Sequence, residues 1–542
     1  MYIKPILTFI IACAVCLPAV AGPPSLVLQI TVDQLRGDMP SRFRERFGEG
    51  GFRYLLEQGT VYTNAQYQHA NTSTAVGHAT LATGGNVPEH GMVGNDWWDF
   101  GRKEQVNCVE DRDSPLIGQE PGKKGRSPRN LEASTFSDEL VLSNDGRSRA
   151  FAVSTKDRGA ILLAGRSGKA YWYSKQSGAY LTSTWYHDSP PAWLHRWNAE
   201  KPADRLDGWE WTLLQDRDSY LFTDQPRRSW VRPRGSLGDA FPHRLEKDGS
   251  GVFYSALRYT PATDRLTLDV AQALIQSEEI GQGEYTDYLS ISFSATDYIG
   301  HAFGPYSLEA EDNLLRLDRL LAELFAFIDE QVGLEKTLIV LSSDHGNAPA
   351  PEYSARHGLR ASRLGLESHL DAINASLVQR FGTDDALLSA FLKPNLYLDF
   401  GVMARNDLDI REVERALVAE IQKLDGVGEA LTRSQLFYGQ VPDTPMGRRM
   451  LASFHPQRSG NVMFFPDPFW YLSKKPHGDA ATHGTPQRYD THVPVIFAGA
   501  GVPAQTVHRG VAPRDVVPTL SAFLGIAAPS GSVGQVLDEV MP

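Results

Sequence analysis

A chain of 542 residues with 42% hydrophobic and 22% charged side chains carries enough apolar surface to bury a large core, which excludes a disordered polymer. The formal net charge of -12, with no dominating cluster of Lys and Arg, excludes the basic surface that holds a phosphate backbone, so no nucleic-acid partner is expected.

The first segment, "MYIKPILTFIIACAVCLPAVAG", has one Lys, an apolar run and the small-residue pattern Ala19-Val20-Ala21. Residues 1–21 therefore read as a cleaved signal peptide, too short and too weakly flanked for a stable membrane anchor. A periplasmic or secreted location is expected. Its removal leaves Cys108 as the sole cysteine, so no disulfide within the chain is available.

Along the mature chain, "SLVLQITV" predicts a buried strand that ends on Asp33. "NTSTAVGHATLATG" then sets three hydroxyls, Thr72, Ser73 and Thr74, before a small-residue run that predicts a helix beginning near Thr74. Ser and Thr are routine N-caps, and a helix start also attracts anions. A hydroxyl becomes a nucleophile when its pKa is lowered, as a metal does. Spacing leaves the choice among the three open.

Further on, "STKDRGAILLAG" carries Lys156 and Arg158, which by themselves read as charges in a surface loop. From about 165 to 260 the pattern turns irregular, with six of the ten Trp between Trp172 and Trp211. This stretch is expected to be an insertion, either a cleft wall or a packed surface subdomain. "YLSISFSA" predicts a second buried strand, followed by Asp297 and His301 in "TDYIGH". A helix follows from the N-cap Ser307 to the C-cap Gly333, with Leu314, Leu317, Leu321, Leu324 and Ile328 on one stripe. "TLIVLSS" predicts a third strand that leads to Asp344 and His345. Strand, helix and strand in that order imply a parallel crossover and an α/β domain. Residues from about 365 to 460, with "NLYLDF" and "DIREVERALVAEIQKLDG", predict a small α+β cap. A last strand, "VPVIFAG", is preceded by His477, His483 and His492.

Asp33, Asp297 and Asp344 each stand just past a buried strand, at the edge where an open α/β sheet binds ligands. Three converging carboxylates repel one another unless a cation neutralises them. His301 and His345 accompany two of the acids, and such a donor set suits zinc or another transition metal better than calcium. Which of His477, His483 and His492 joins them is open from spacing.

"TVDQLRGDM", "NTSTAVGHATLATG", "HGMVGNDWW", "TDYIGH", "SSDHG" and "THGTP", in this order along nearly the whole mature chain, resemble the alkaline phosphatase superfamily in its nucleotide pyrophosphatase/phosphodiesterase-like branch. With Lys156 and Arg158, "STKDRGAILLAG" resembles the PafA-type phosphate-irrepressible bacterial alkaline phosphatases. The resemblance implies a three-layer α/β/α sandwich with a largely parallel central sheet and inserted cap segments over residues 22–542. It implies two zinc ions, one held by Asp297, His301 and His483, the other by Asp33, Asp344 and His345 with Thr74. It selects Thr74 as nucleophile and His483 as the third histidine, and leaves His78 and His492 as structural. It assigns Asn95, Lys156 and Arg158 to the phosphoryl oxygens. The implied activity is hydrolysis of small phosphate monoesters through a phosphothreonine, with phosphodiesterase or nucleotide pyrophosphatase activity as the alternative. A sulfatase is disfavoured because that branch uses a modified Cys or Ser where this chain has Thr74. Nothing in the sequence specifies an oligomer.

Overall fold

The computed structural model describes residues 22–117, 124–223, 228–247, 251–475 and 477–542; the expected signal peptide lies outside them. The central sheet has ten strands: β1 (Leu26–Val32), β2 (Thr60–Gln66), β3 (Leu116–Ile117), β4 (Ala150–Ser154), β5 (Lys169–Tyr173), β6 (Tyr180–Ser183), β7 (Asp287–Phe293), β8 (Thr337–Ser342), β13 (His492–Ala498) and β14 (Gln505–Val507). A separate antiparallel sheet holds β9 (Leu388–Leu392), β10 (Asn395–Leu398), β11 (Val427–Thr432) and β12 (Val462–Pro466).

The order across the central sheet is β14-β2-β13-β8-β1-β7-β4-β5-β6-β3. From β8 to β5 the neighbours are all parallel. Strand β1, "LVLQITV", is buried at every residue, as a central parallel strand covered on both faces must be. Its Leu28, Ile30 and Val32 join a core with helices α3 (Ala262–Glu278) and α5 (Leu308–Gln331). On the other face Val27 packs with residues of α1 (Thr74–Thr83) and α8 (Val516–Leu524). The polar Gln29 on that face is bonded at both ends of its amide, which donates to the Leu81 carbonyl at 3.1 Å and accepts from the Tyr288 hydroxyl at 2.9 Å. Helix, sheet and helix thus make the three expected layers.

Helix α5 starts at the expected cap, with the Ser307 hydroxyl accepting from the Ala310 amide at 3.1 Å. It ends at Gln331, with Val332 at the C-cap and Gly333 next at φ 97°. All five residues of the stripe read from the sequence are buried.

Two findings depart from the pattern along the chain. The Trp-rich stretch is not wholly an insertion, because β5 and β6 belong to the central sheet. And β13, the strand of "VPVIFAG", runs antiparallel to β8 and β2. Pro494 falls where the register of β13 against β2 shifts, so its missing amide costs no regular ladder bond. The reversal has a consequence for the site: the amino end of β13 lies at the same sheet edge as the carboxyl ends of β1, β7 and β8.

The second sheet, with helices α6 (Glu367–Phe381) and α7 (Ile410–Ile421), has its own core of residues such as Leu377, Val413, Leu417 and Phe464. Asp409 caps α7 through the Glu412 amide at 2.9 Å.

Truncating Leu321, which is fully buried on the α5 stripe, tests the inner layer. Leu321→Ala should lower unfolding free energy by about 2–5 kcal/mol, read as a shifted urea midpoint with an unchanged slope.

Candidate active site

Asp33 follows β1, Asp344 follows β8, and Asp297 sits in the first turn of α4 (Ala295–Phe303), just after β7. All three carboxylates are buried at one sheet edge. His301 stands one turn after Asp297 on α4, which places its Nε2 3.2 Å from Asp297 Oδ1. His483 reaches the same place from the loop before β13, with its Nε2 3.6 Å from Asp297 Oδ1. His345 lies between the two sets: its Nε2 is 3.5 Å from Asp33 Oδ1 and 3.3 Å from Asp344 Oδ2, and its ring stacks on His483 with centroids 3.5 Å apart.

Two groups of donor atoms close enough to hold a metal ion result, each within 4.8 Å: Asp33 with Asp344 and His345, and Asp297 with His345 and His483. The first matches the set implied by the resemblance. In the second His345 takes the place expected of His301, which remains paired with Asp297.

The chemistry of these donors fits a cation. Each of the three histidines has its Nδ1 on a backbone carbonyl: His301 on Ala481 at 2.9 Å, His345 on Gly346 at 2.9 Å and His483 on Thr72 at 2.8 Å. A ring that donates from Nδ1 presents a lone pair at Nε2. Burial lowers the pKa of His345 and, further, that of His483, which favours the neutral form of both rings. Asp33 Oδ1, Asp344 Oδ2 and His345 Nε2 are buried and take part in no hydrogen bond. His78 and His492 differ. His78 has both nitrogens engaged, on the Thr74 carbonyl and the Ser292 hydroxyl, each at 2.9 Å, and His492 Nε2 meets the Thr63 carbonyl at 3.0 Å. His477 is exposed.

The three hydroxyls separate cleanly. Thr72 is committed to the His483 loop, accepting from the Gly484 amide at 3.1 Å and donating to the Thr485 carbonyl at 2.9 Å. Ser73 is the N-cap residue of α1, yet its hydroxyl makes no cap bond. Thr74 is the first helical residue, where the sequence places the helix start. Its Oγ1 lies 3.5 Å from Lys156 Nζ and 3.4 Å from Arg158 Nη2.

Asn95 does what the Ser73 side chain does not. Its Oδ1 accepts from the Ala75 amide at 2.9 Å, which turns its Nδ2 donor away from the helix. Gly77, one turn into α1, packs on the backbone of Asp344, and a methyl group there would run into the Asp344 carbonyl oxygen.

Lys156 and Arg158, at the start of α2 (Asp157–Ala164), are not surface charges. Lys156 is 4% exposed, and its Nζ lies 2.5 Å from both Asp33 Oδ2 and Asp297 Oδ2. Burial opposes its charge, but Asp297 and Asp33 outweigh that and raise its pKa. Burial pushes Asp33 well above the usual carboxylate range, with Asp297 and Asp344 adding to it. Asp297 is held well below that range, because Lys156 and His301 overcome its burial.

Sequence reasoning missed Gln34, although it stands in the quoted "TVDQLRGDM". It adopts φ 70°, a left-handed conformation that is costly for a residue with a side chain. That conformation lets its amide N–H donate to Asp344 Oδ1 at 3.1 Å while its Nε2 donates to Asp297 Oδ1 at 2.6 Å. Asn347 then donates to Gln34 Oε1 at 2.5 Å. One residue thereby spaces two acids that belong to different strands. The available sequence signal was its place directly after Asp33.

Residues 27–492 match the family model of type I phosphodiesterase / nucleotide pyrophosphatase. Alkaline phosphatase PafA of Elizabethkingia meningoseptica is 32% identical over 96% of this chain and 94% of its own length. A protein of Myroides odoratus named calcium-transporting ATPase is also 32% identical, over 96% of this chain and 95% of its own. The crystal structure of wild-type PafA superposes with a TM-score of 0.87 at 32% identity, covering 96% of this chain and 99% of the other.

Gln34→Leu keeps the volume and removes the amide that steadies Asp297. Metal affinity, read by competition with a chelator, should fall by about 10- to 100-fold with little change in unfolding midpoint.

Proposed function

The chain belongs to the type I phosphodiesterase / nucleotide pyrophosphatase family, and on that premise we propose that it is an exported alkaline phosphatase that hydrolyses phosphate monoesters with Thr74 as nucleophile. The observation that carries the monoester reading is the pair of cations, Lys156 and Arg158, set beside the Thr74 hydroxyl. A monoester brings more charge on its nonbridging oxygens than a diester, whose second ester group replaces one of them. Two cations, one buried and one partly buried, favour the more highly charged substrate.

Asp33, Asp344, His345 and Thr74 would hold one zinc ion, and Asp297 and His483 with His301 the other; the mixed carboxylate and imidazole donors favour zinc over magnesium or calcium. When bound, such ions supply Lewis acidity that lowers the pKa of a hydroxyl and stabilises a leaving oxygen. The chain's own residues do the rest. The amino end of α1 directs Thr74 and free amides at the phosphoryl group. Thr74 Oγ attacks phosphorus in line, the bond to the leaving oxygen breaks, and that oxygen takes a proton. Water then attacks the phosphothreonine and frees inorganic phosphate. Asn95 Nδ2, Lys156 and Arg158 bind the nonbridging oxygens through both steps, where positioning and charge supply most of the catalysis.

Among the described residues no helix is long and apolar enough to cross a membrane. Export to the periplasm or medium, with cleavage after residue 21, rests on the pattern of the first residues.

Removing Lys156 and Arg158 together (K156A with R158A) should cut monoester kcat/KM by about 100-fold or more and diester kcat/KM much less. A wild type that prefers diesters, or a double variant that keeps its monoester preference, would reject the reading. Chelation should remove metal and activity in parallel, with both restored by zinc.

A further inference from the structure

Beside His301 and His483 lies a cavity of about 290 Å³, and part of its wall comes from the α+β cap. The turn that joins β9 to β10 brings Leu392 and Lys393 to it. Lys393 Nζ donates to the His483 carbonyl. Gly484, at φ 98°, makes room for this contact, since a methyl group there would come within 3.2 Å of Lys393 Cε and Nζ. The cap is thus fastened to the loop of His483 by a side chain that also lines the cavity.

These walls put the cavity on the leaving-group side of the site. In the proposed reaction Thr74 stands with Asp33, Asp344 and His345, and the attacking and leaving oxygens lie in line across phosphorus. The leaving oxygen therefore departs toward Asp297, His301 and His483. Two of those three residues line the cavity, and so do Ser73, directly before the nucleophile, and Asn95. A carbon skeleton carried on the leaving oxygen enters this space.

The polar groups of the cavity are balanced in charge: one carboxylate, Asp96, and one ammonium, Lys393. Both keep hydrogen-bonding capacity to spare. Asp96 Oδ1 accepts from Asn107 Nδ2 at 3.2 Å, and Lys393 has three donors, of which the His483 carbonyl takes one. The Ser73 hydroxyl makes no hydrogen bond. Equal and opposite charges give no grip on a second anion, whereas donors and acceptors around one space suit a neutral alcohol that offers both. Leu392 adds an apolar face for its carbons. The volume falls just below the range of about 300–1,000 Å³ typical of larger ligands, so the alcohol is a small one.

We propose that this cavity receives the leaving alcohol and favours small polyols, with Asp96 and Lys393 as the residues that bind the hydroxyls beyond the ester oxygen. The inference rests on the monoesterase reading and deepens it by naming the alcohol. The cap is then the element that sets substrate choice.

The test compares glycerol 3-phosphate with n-propyl phosphate, which has the same number of carbons, and uses phenyl phosphate to follow hydrolysis as such. The ratio of kcat/KM for the first two is measured in the zinc-loaded wild type and in Asp96→Ala, Asp96→Asn and Lys393→Met. The intrinsic reactivity of the two esters is the same for every variant, so a changed ratio reads contacts with the protein. Wild type should favour the glycerol ester by about tenfold or more, and Asp96→Ala or Lys393→Met should each remove about tenfold, the worth of one hydrogen bond to a charged group. Asp96→Asn keeps an acceptor for Asn107 and should lower the ratio by a smaller factor. Binding to the zinc-loaded Thr74→Ala variant, read by calorimetry, should favour the glycerol ester as well. A purely structural role of Lys393 would slow both esters alike and leave the ratio where it was. A wild-type ratio near one, or a ratio that all three variants leave unchanged, overturns the cavity proposal alone while phenyl phosphate is still hydrolysed. Failure to hydrolyse phenyl phosphate overturns the monoesterase reading and this inference with it.

Discussion

The arrangement depends on one electrostatic constraint: three carboxylates from three different strands meet in a buried space. Isolated, each would be driven to neutrality by burial and by its neighbours, as the raised pKa of Asp33 indicates. Positive charge has to come from elsewhere, and the fold supplies part of it through Lys156 between Asp33 and Asp297. The unbonded oxygens of Asp33 and Asp344 and the inward lone pairs of His345 and His483 leave the remainder to bound cations. Much of the surrounding structure serves to hold this convergence. Gln34 spaces two of the acids, and three backbone carbonyls fix the three rings.

The same constraint explains which parts of the site were legible in the sequence. Asp33, Asp297 and Asp344 could be read because each follows an apolar run long enough to mark a buried strand, and strand ends share an edge when the strands are parallel. His483 could not be read that way, because it precedes its strand. It reaches the edge because β13 is reversed, and no local feature of "VPVIFAG" distinguishes a parallel from an antiparallel partner. Gln34 and Lys156 were hidden for a related reason. Their importance lies in contacts that span more than a hundred residues, while their immediate sequence looks like a turn and a charged loop. The α5 stripe was legible from periodicity, which is local, whereas the three layers were implied by the family resemblance. The division of the Trp-rich stretch between sheet and surface was not, because "KAYWY" and "YLTS" are short strands set in irregular sequence.

On the substrate side, charge is graded across a short distance. Lys156 meets both the acids and the Thr74 hydroxyl, and Arg158 reaches the same hydroxyl. Groups suited to generating a nucleophile and groups suited to holding an oxyanion thus meet at the start of one helix. Asn95 stands with them, because the residue that satisfies the helix end also keeps an amide donor turned away from it.

Gly77 sets the character of that geometry. Since no side chain intervenes between α1 and the backbone of Asp344, the gap between the helix that carries Thr74 and the chain that carries Asp344 is a dimension of two main chains in contact. It inherits the stiffness of the sheet and does not change with rotamer. Substitutions around the pocket can therefore alter its charge, its volume and its choice of alcohol, while the spacing at the reacting centre moves when whole elements move.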